Sequence, residues 1–364
     1  MGFAQGFSRL REVGGVVAGR VAELRGPVLP EPTVAQTVAA RRRFFGDETV
    51  DPVTGEVRAD RVVVSWFGCA SYAVALGGAV ILLDAWVPRG ATSGYVPTTP
   101  AEVAALRPVA IFIGHGHFDH AADAGPIARA SGAVVYGTAE HCATIRSGIE
   151  DGHHLRCVTV GSAAASPGDR YDLEVAPGVE VTAVRHLHSA PTPRDISLAG
   201  SPAVRPTPCP CDIRGYRPHP ADAAHLLTHL ADPEGGTLLY QFRTGTFTLT
   251  WHDSSGPLLD KAPGVLDVLR DLPASDLHLG AIQGFNQYTN GLRDPRSYIE
   301  ALRPRVFAPS HHDNWLPLMT SRGTVYREPL EAELARIPED RCPELRMLTD
   351  RADYLAPARL TFTV

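Results

Sequence analysis

The sequence predicts an α+β fold on three observations. Short apolar runs that read as strands alternate with segments of helical spacing, a Gly-Gly pair joins two of the runs into a hairpin, and several runs finish in histidine or aspartate. With 364 residues, 44% hydrophobic and 20% charged, the chain can bury a sizeable core in one large domain or two ordinary ones.

Taken in order, Phe7, Leu10, Val13, Val17, Val21 and Leu24 recur at helical spacing and predict an amphipathic helix over 7–25. That helix is expected to pack on the body or on a second subunit, where it would support a homo-oligomer. GPVLPEP (26–32) reads as a linker, so residues 1–60 are expected to form a helical extension and linker, and residues 61–364 the main domain. RVVVSWFG and SYAVALGGAVILLDAW read as strands around the Gly-Gly turn, ending at Asp84. AEVAALRP (101–108) reads as helix, and VAIFIG (109–114) as a buried strand that leads into HGHFDH. AGPIARAS then starts a helix with Pro126 near its first turn. Further on, VEVTAVRHLHS (179–189) is a strand ending in histidines, and GTLLYQFRTGTFTLTWHDSSG (236–256) is a hairpin ending in His252 and Asp253. RPRVFAPSHHDNW (303–315) is an apolar run ending in His311. Between these strands, residues 190–232 are rich in proline and polar residues and are expected to form a flap insertion that helps to choose the substrate.

Composition narrows the function classes. Net charge is −6, Lys261 is the only lysine, and the arginines are spread along the chain, so no nucleic-acid footprint is expected. The N-terminal stretch lacks the apolar core of a signal peptide, and no run is long and apolar enough for a transmembrane segment. Cys69, Cys142, Cys157, Cys209, Cys211 and Cys342 do not make a disulfide framework in a chain this long, so a cytoplasmic location is expected. Cys209-Pro210-Cys211, with His219 and His225 nearby, matches no common zinc module and reads as a pair of ordinary thiols. Neither a G-x-S-x-G elbow nor a P-loop is present.

The chemistry lies in the strand ends. His115, His117, Asp119 and His120 fall within six positions after a buried strand, and His188, Asp253 and His311 close three later strands. A sheet sets strand ends side by side, so such residues converge, and imidazole with carboxylate suits zinc and similar first-row ions. His186 stands two residues before His188 on the same strand face, and the later residue is favoured as the strand-end ligand. His141, His153, His154, His229 and His278 read as ordinary surface or core histidines.

His115, His117, Asp119 and His120 resemble the H-x-H-x-D-H signature of the metallo-β-lactamase superfamily, and the order of the later ligand segments resembles it too, over about residues 61–320. The opening WFGCASYAVALGGAVILLDAW is similar to the lactonase-like branch. The resemblance implies an αββα four-layer sandwich with the metal site at one edge, and an Asp84 that supports the site from behind. It assigns His115, His117 and a third histidine, His188 rather than His186, to one metal. Asp119, His120 and the histidine of APSHHDNW go to the other. His311 is favoured there, with His312 beside the pocket, and Asp253 would bridge the two ions. The family's small residue before that aspartate is here His252.

Two divalent cations are thereby implied, zinc first, with manganese or iron as alternatives. Such a pair about 3.5–4 Å apart shares a water and lowers its pKa toward neutrality. The resemblance therefore implies a hydrolase that uses metal-bound hydroxide, with Asp119 orienting the nucleophile or accepting its proton. A small-molecule ester, lactone, amide or phosphodiester would be the substrate. Two alternatives stay open at this stage: an iron-dependent oxidative enzyme on the same fold, and a non-catalytic metal-binding module.

Overall fold

The computed structural model describes residues 28–364 except 91, 198, 199, 206, 208, 209, 218 and 318, and only the backbone of 210, 211, 213 and 221. The helix expected over 7–25 and Cys209 lie outside the described residues, as does the side chain of Cys211. Among the described residues, no helix is long and apolar enough to cross a membrane. The class is α+β, with two mixed sheets and flanking helices, as the sequence predicts. The chain forms two compact units. The first comprises residues 1–163, 210–235 and 351–364, and the second 164–209 and 236–350.

The first unit holds β1 (Arg61–Trp66), β2 (Tyr72–Leu76), β3 (Ala79–Leu83), β4 (Ala110–Phe112), β5 (Val134–Gly137) and β6 (Cys157–Thr159), and the C-terminal Thr361–Thr363 strand pairs with β1. Its first pairings, through β3, are antiparallel, and those from β3 through β6 are parallel. The predicted hairpin is β2 and β3, whose residues are almost all buried. At about 1.5–3 kcal/mol for each large apolar side chain removed from water, such strands anchor the unit.

The helix Val34–Phe45 lies within the segment expected as extension and linker, yet it belongs to this unit. Thr33 and Gln36 cap its start reciprocally, and Phe44 and Phe45 are buried at its end, Phe44 edge-on to Phe67 at 6.4 Å. Arg41 of the triple arginine donates to the carbonyls of Leu106 and Gly55, both at 2.9 Å. These arginines are tethers.

The second unit repeats the pairing pattern. β7 (Arg170–Ala176), β8 (Val179–His186), β9 (Thr237–Thr244) and β10 (Phe247–His252) are antiparallel neighbours. β11 (Leu277–Ala281), β12 (Val306–Ser310) and β13 (Glu344–Leu345) continue the sheet in parallel. The helices Pro263–Arg270 and Arg293–Leu302 bury Leu266, Leu269, Tyr298 and Leu302 with Val184 of β8 and Leu239 of β9. Because β8 and β10 are each antiparallel to β9, they run the same way, and β12 follows them through parallel steps. All three strands therefore deliver their C-terminal residues to one edge of this sheet. β3 and β4 do the same in the first sheet.

Residues 190–232 divide between the two units. The early part is irregular but tied down: Asn286 accepts the Thr192 amide at 3.2 Å, Asn290 accepts the Asp195 amide at 2.7 Å, and Arg293 pairs with Asp195 at 3.3 Å. The later part differs from the irregular loop that its composition suggests. Pro210–Gly215 and Pro220–His229 are helices, the second built from Ala and Leu after a first-turn proline.

His225 of the Pro220–His229 helix meets Asp123 at 3.1 Å. Burial pulls the pKa of His225 down, but the hydrogen bond and charge of Asp123, with the charge of Asp222, outweigh it and raise the value overall. A histidine raised in the folded state contributes stability that is complete below its unfolded pKa of about 6.5 and is lost as pH rises through the folded value. Limited proteolysis should therefore cut around residues 216–232 faster at pH 8 than at pH 6, at matched protease activity. The difference should vanish in His225→Gln.

Candidate metal centre

In the first unit, β3 ends at Asp84 and β4 leads through Ile113 and Gly114 to His115. The HGHFDH segment is partly helical: Phe118–Ala121 forms a single turn that carries Asp119 and His120. Gly116 separates the first two histidines for a steric reason, since a Cβ there would stand 2.6 Å from the Pro233 carbonyl oxygen. Its amide donates to the Glu234 carbonyl at 2.7 Å. The ring of His141 holds that same carbonyl through Nε2 at 2.9 Å. His141, which sequence alone reads as ordinary, is thus a buried brace for this loop.

The donor atoms fall into two pairs. His115 Nε2 and His117 Nδ1 are 3.0 Å apart, and His120 Nε2 and Asp119 Oδ2 are 3.3 Å apart. The rings of His115 and His120 lie 4.0 Å centroid to centroid, so the pairs are neighbours. Two donors each about 2.0–2.1 Å from one tetrahedral ion stand about 3.3 Å apart. Behind them, Asp84 is fully buried. Its Oδ2 meets His120 Nδ1 at 2.6 Å, and its Oδ1 accepts the Gly114 amide at 3.1 Å. A carboxylate can only accept, so the His120 proton sits on Nδ1 and Nε2 carries the lone pair. The donor chemistry and spacing fit divalent cations.

In the second unit, His186 ends β8 fully buried, with Nδ1 2.9 Å from the Tyr298 hydroxyl. His188 is half-buried beyond the strand end, and its Nδ1 donates to the Ser189 carbonyl at 2.9 Å, leaving Nε2 as the lone-pair nitrogen. Ser189 donates its amide to Ser254 Oγ at 3.0 Å, which ties the His188 loop to the loop carrying Asp253. His252 stacks on Tyr298 at 4.6 Å and donates Nδ1 to the Ser254 carbonyl. Burial lowers its pKa to about 4 and keeps it neutral. The bulky residue before Asp253 is therefore accommodated by Tyr298.

His311 follows β12 with a left-handed backbone (φ 55°) and its ring edge-on to Trp315 at 5.3 Å. His312 is buried and donates Nε2 to the Leu348 carbonyl at 2.7 Å. Asp84 and His311 both hold positive φ, and so does Cys69. Such conformations cost about 1–3 kcal/mol each, and Arg89, Arg107, Asp151, Arg303, Arg351 and Leu355 adopt them too. Sequence reasoning passed over three contributors. His141 and Tyr298 brace site loops, and Cys69 places its sulfur within 4.8 Å of donor atoms of Asp119 and His120. Only the positions of these residues after β1, on a helix far along the chain and beside HGHFDH in space reveal them.

The sequence profile of the Metallo-beta-lactamase superfamily matches residues 64–199. A metal-dependent hydrolase of Pyrobaculum neutrophilum is 26% identical over 270 residues, 74% of this chain and 92% of that protein. One of Pyrobaculum aerophilum is 42% identical over 77 residues, 21% of this chain and 32% of that protein. Among solved structures, Igni18, a metallo hydrolase from Ignicoccus hospitalis, shares the fold with a TM-score of 0.50 and 17% identity, covering 84% of this chain and 99% of that one. With the H-x-H-x-D-H segment at the end of β4 and the sheet order described above, the matched profile and relatives support the metallo-β-lactamase superfamily and a metal-dependent hydrolase.

Proposed function

We propose that the chain hydrolyses a small-molecule ester, lactone, amide or phosphodiester at a dinuclear zinc centre. His115, His117 and His188 hold one cation in this reading, and Asp119, His120 and His311 hold the other. Asp253 would be a ligand shared by both. The supporting observation is the division of four donors into two pairs at 3.0 and 3.3 Å. Facing lone pairs at such distances repel unless a proton or a cation lies between them, and one cation at each pair would satisfy both. When bound, the cations supply Lewis acidity and bring a water's pKa toward neutrality. Asp119, only 4% exposed, would orient a water there and accept its proton. Asp84 keeps His120 in the ligating tautomer, and His252 and His312 remain neutral supports.

Metal analysis of protein purified without added metal, followed by assay of generic esters, lactones, amides and phosphodiesters with zinc or manganese, tests the reading. Two zinc or manganese equivalents with hydrolysis are expected. One iron with no hydrolysis would replace it with the oxidative alternative. The choice between neighbouring histidines has its own measurement: His188→Ala should lose one of the metal equivalents, whereas His186→Ala should keep both. If the stoichiometries are reversed, the ligand lies two residues back along β8.

A further inference from the structure

We propose that Cys69 is a thiolate ligand of the cation that Asp119 and His120 hold. The proposal rests on the reading of the centre given above and adds to it a sulfur donor from outside the H-x-H-x-D-H segment. Cys69 Sγ, a carboxylate oxygen of Asp119 and a ring nitrogen of His120 all lie within 4.8 Å of one another. All three residues are buried, with exposures of 0%, 4% and 0% respectively. Cysteine, aspartate and histidine are each ordinary zinc donors, and they are gathered here where two of them are already assigned to a cation.

The backbone prepares the thiol's position. Gly68 (φ 101°) turns the chain where a Cβ would meet the Pro88 ring at 2.6 Å, so no other residue fits without displacing it. The Ser71 amide closes the turn on the Gly68 carbonyl at 2.9 Å, and the Trp66 indole donates to the Cys69 carbonyl at 3.0 Å. Ser71 Oγ accepts the Trp86 amide at 3.2 Å, and the neighbouring Ala85 amide donates to the His120 carbonyl at 2.8 Å. A short strap of hydrogen bonds therefore links the turn that carries Cys69 to the backbone of His120. Preorganisation of this kind is what a ligand on a turn requires.

On binding, the sulfur–metal bond forms as the S–H bond breaks, and the proton passes to solvent. A thiolate also biases the site toward zinc and away from manganese, which favours oxygen donors. The sulfur thus bears on which metal the enzyme uses. Among the other described cysteines, Cys142 and Cys157 hydrogen-bond to each other, and Cys342 is exposed.

Zinc-edge X-ray absorption on the zinc-loaded full chain should show a sulfur neighbour at about 2.3 Å beside nitrogen and oxygen at about 2.0–2.2 Å. The sulfur shell should disappear in Cys69→Ser and persist in Cys342→Ser. With cobalt in place of zinc, the parent should show a near-ultraviolet thiolate charge-transfer band that Cys69→Ser lacks. A parent spectrum with nitrogen and oxygen alone, or a sulfur shell that survives in Cys69→Ser, overturns the role of Cys69 while leaving the metal centre intact. A parent that binds no metal overturns both readings. Should Cys69→Ser fail to fold, Cys69→Ala and the parent's own sulfur shell decide the question.

Discussion

Asp119→Ala is expected to abolish turnover while the protein still folds. The side chain sits on the single helical turn Phe118–Ala121, with one oxygen 3.3 Å from His120 Nε2, and contributes no apolar area to the core. Losing its proton handling alone costs about 10²–10⁴-fold in rate. Losing a cation donor compounds that. His117→Ala should act similarly through metal loss, since its Nδ1 shares a pair with His115 Nε2 at 3.0 Å. Circular dichroism and a cooperative unfolding transition would establish the fold, and metal analysis with the substrate panel would establish the loss. An Asp119→Ala protein that retains the parent's turnover is incompatible with the mechanism.

Asp84→Asn is expected to weaken metal binding about 10–100-fold without touching any assigned ligand. The carboxylate accepts from both His120 Nδ1 and the Gly114 amide. An amide has one oxygen for those two donors, and its NH₂ must face the other. If it faces His120, the ring has to accept at Nδ1 and carry its proton on Nε2, which removes the lone pair turned toward Asp119. If it faces Gly114, a buried amide is left unpaired at a cost of about 1–3 kcal/mol. Competition with a chromophoric zinc chelator measures the affinity, and chemical denaturation measures the stability. Parent-like affinity in Asp84→Asn would show that something other than Asp84 sets the His120 tautomer.

Much of this protein was legible from local pattern. The strand runs, the Gly-Gly hairpin and the placing of His115, Asp253 and His311 just past apolar runs depend on neighbours within a few residues. Alternation, chain reversal and strand termination are themselves short-range. The H-x-H-x-D-H segment carries four donors in six residues, so its chemistry is visible without a fold. The helix Val34–Phe45 was less visible because its burial depends on Phe67 in a distant turn. The helix Pro220–His229 was masked by the proline-rich stretch before it.

Only the tertiary structure decided what stands behind the donors. Asp84 reaches His120 across 36 residues, Tyr298 reaches His186 across 112, and His141 reaches the Glu234 carbonyl across 93. Cys69 gives no signal in its own neighbourhood, since a lone cysteine after a strand looks like any buried thiol. Its place beside Asp119 and His120 follows from parallel pairing of β3 with β4 and from the strap through Ser71 and Trp86. The residue types that can bind a metal are thus set by the sequence locally. Which of them face the same point, and in which tautomer, is set by strand order and buried hydrogen bonds, because those contacts join segments that the linear chain keeps far apart.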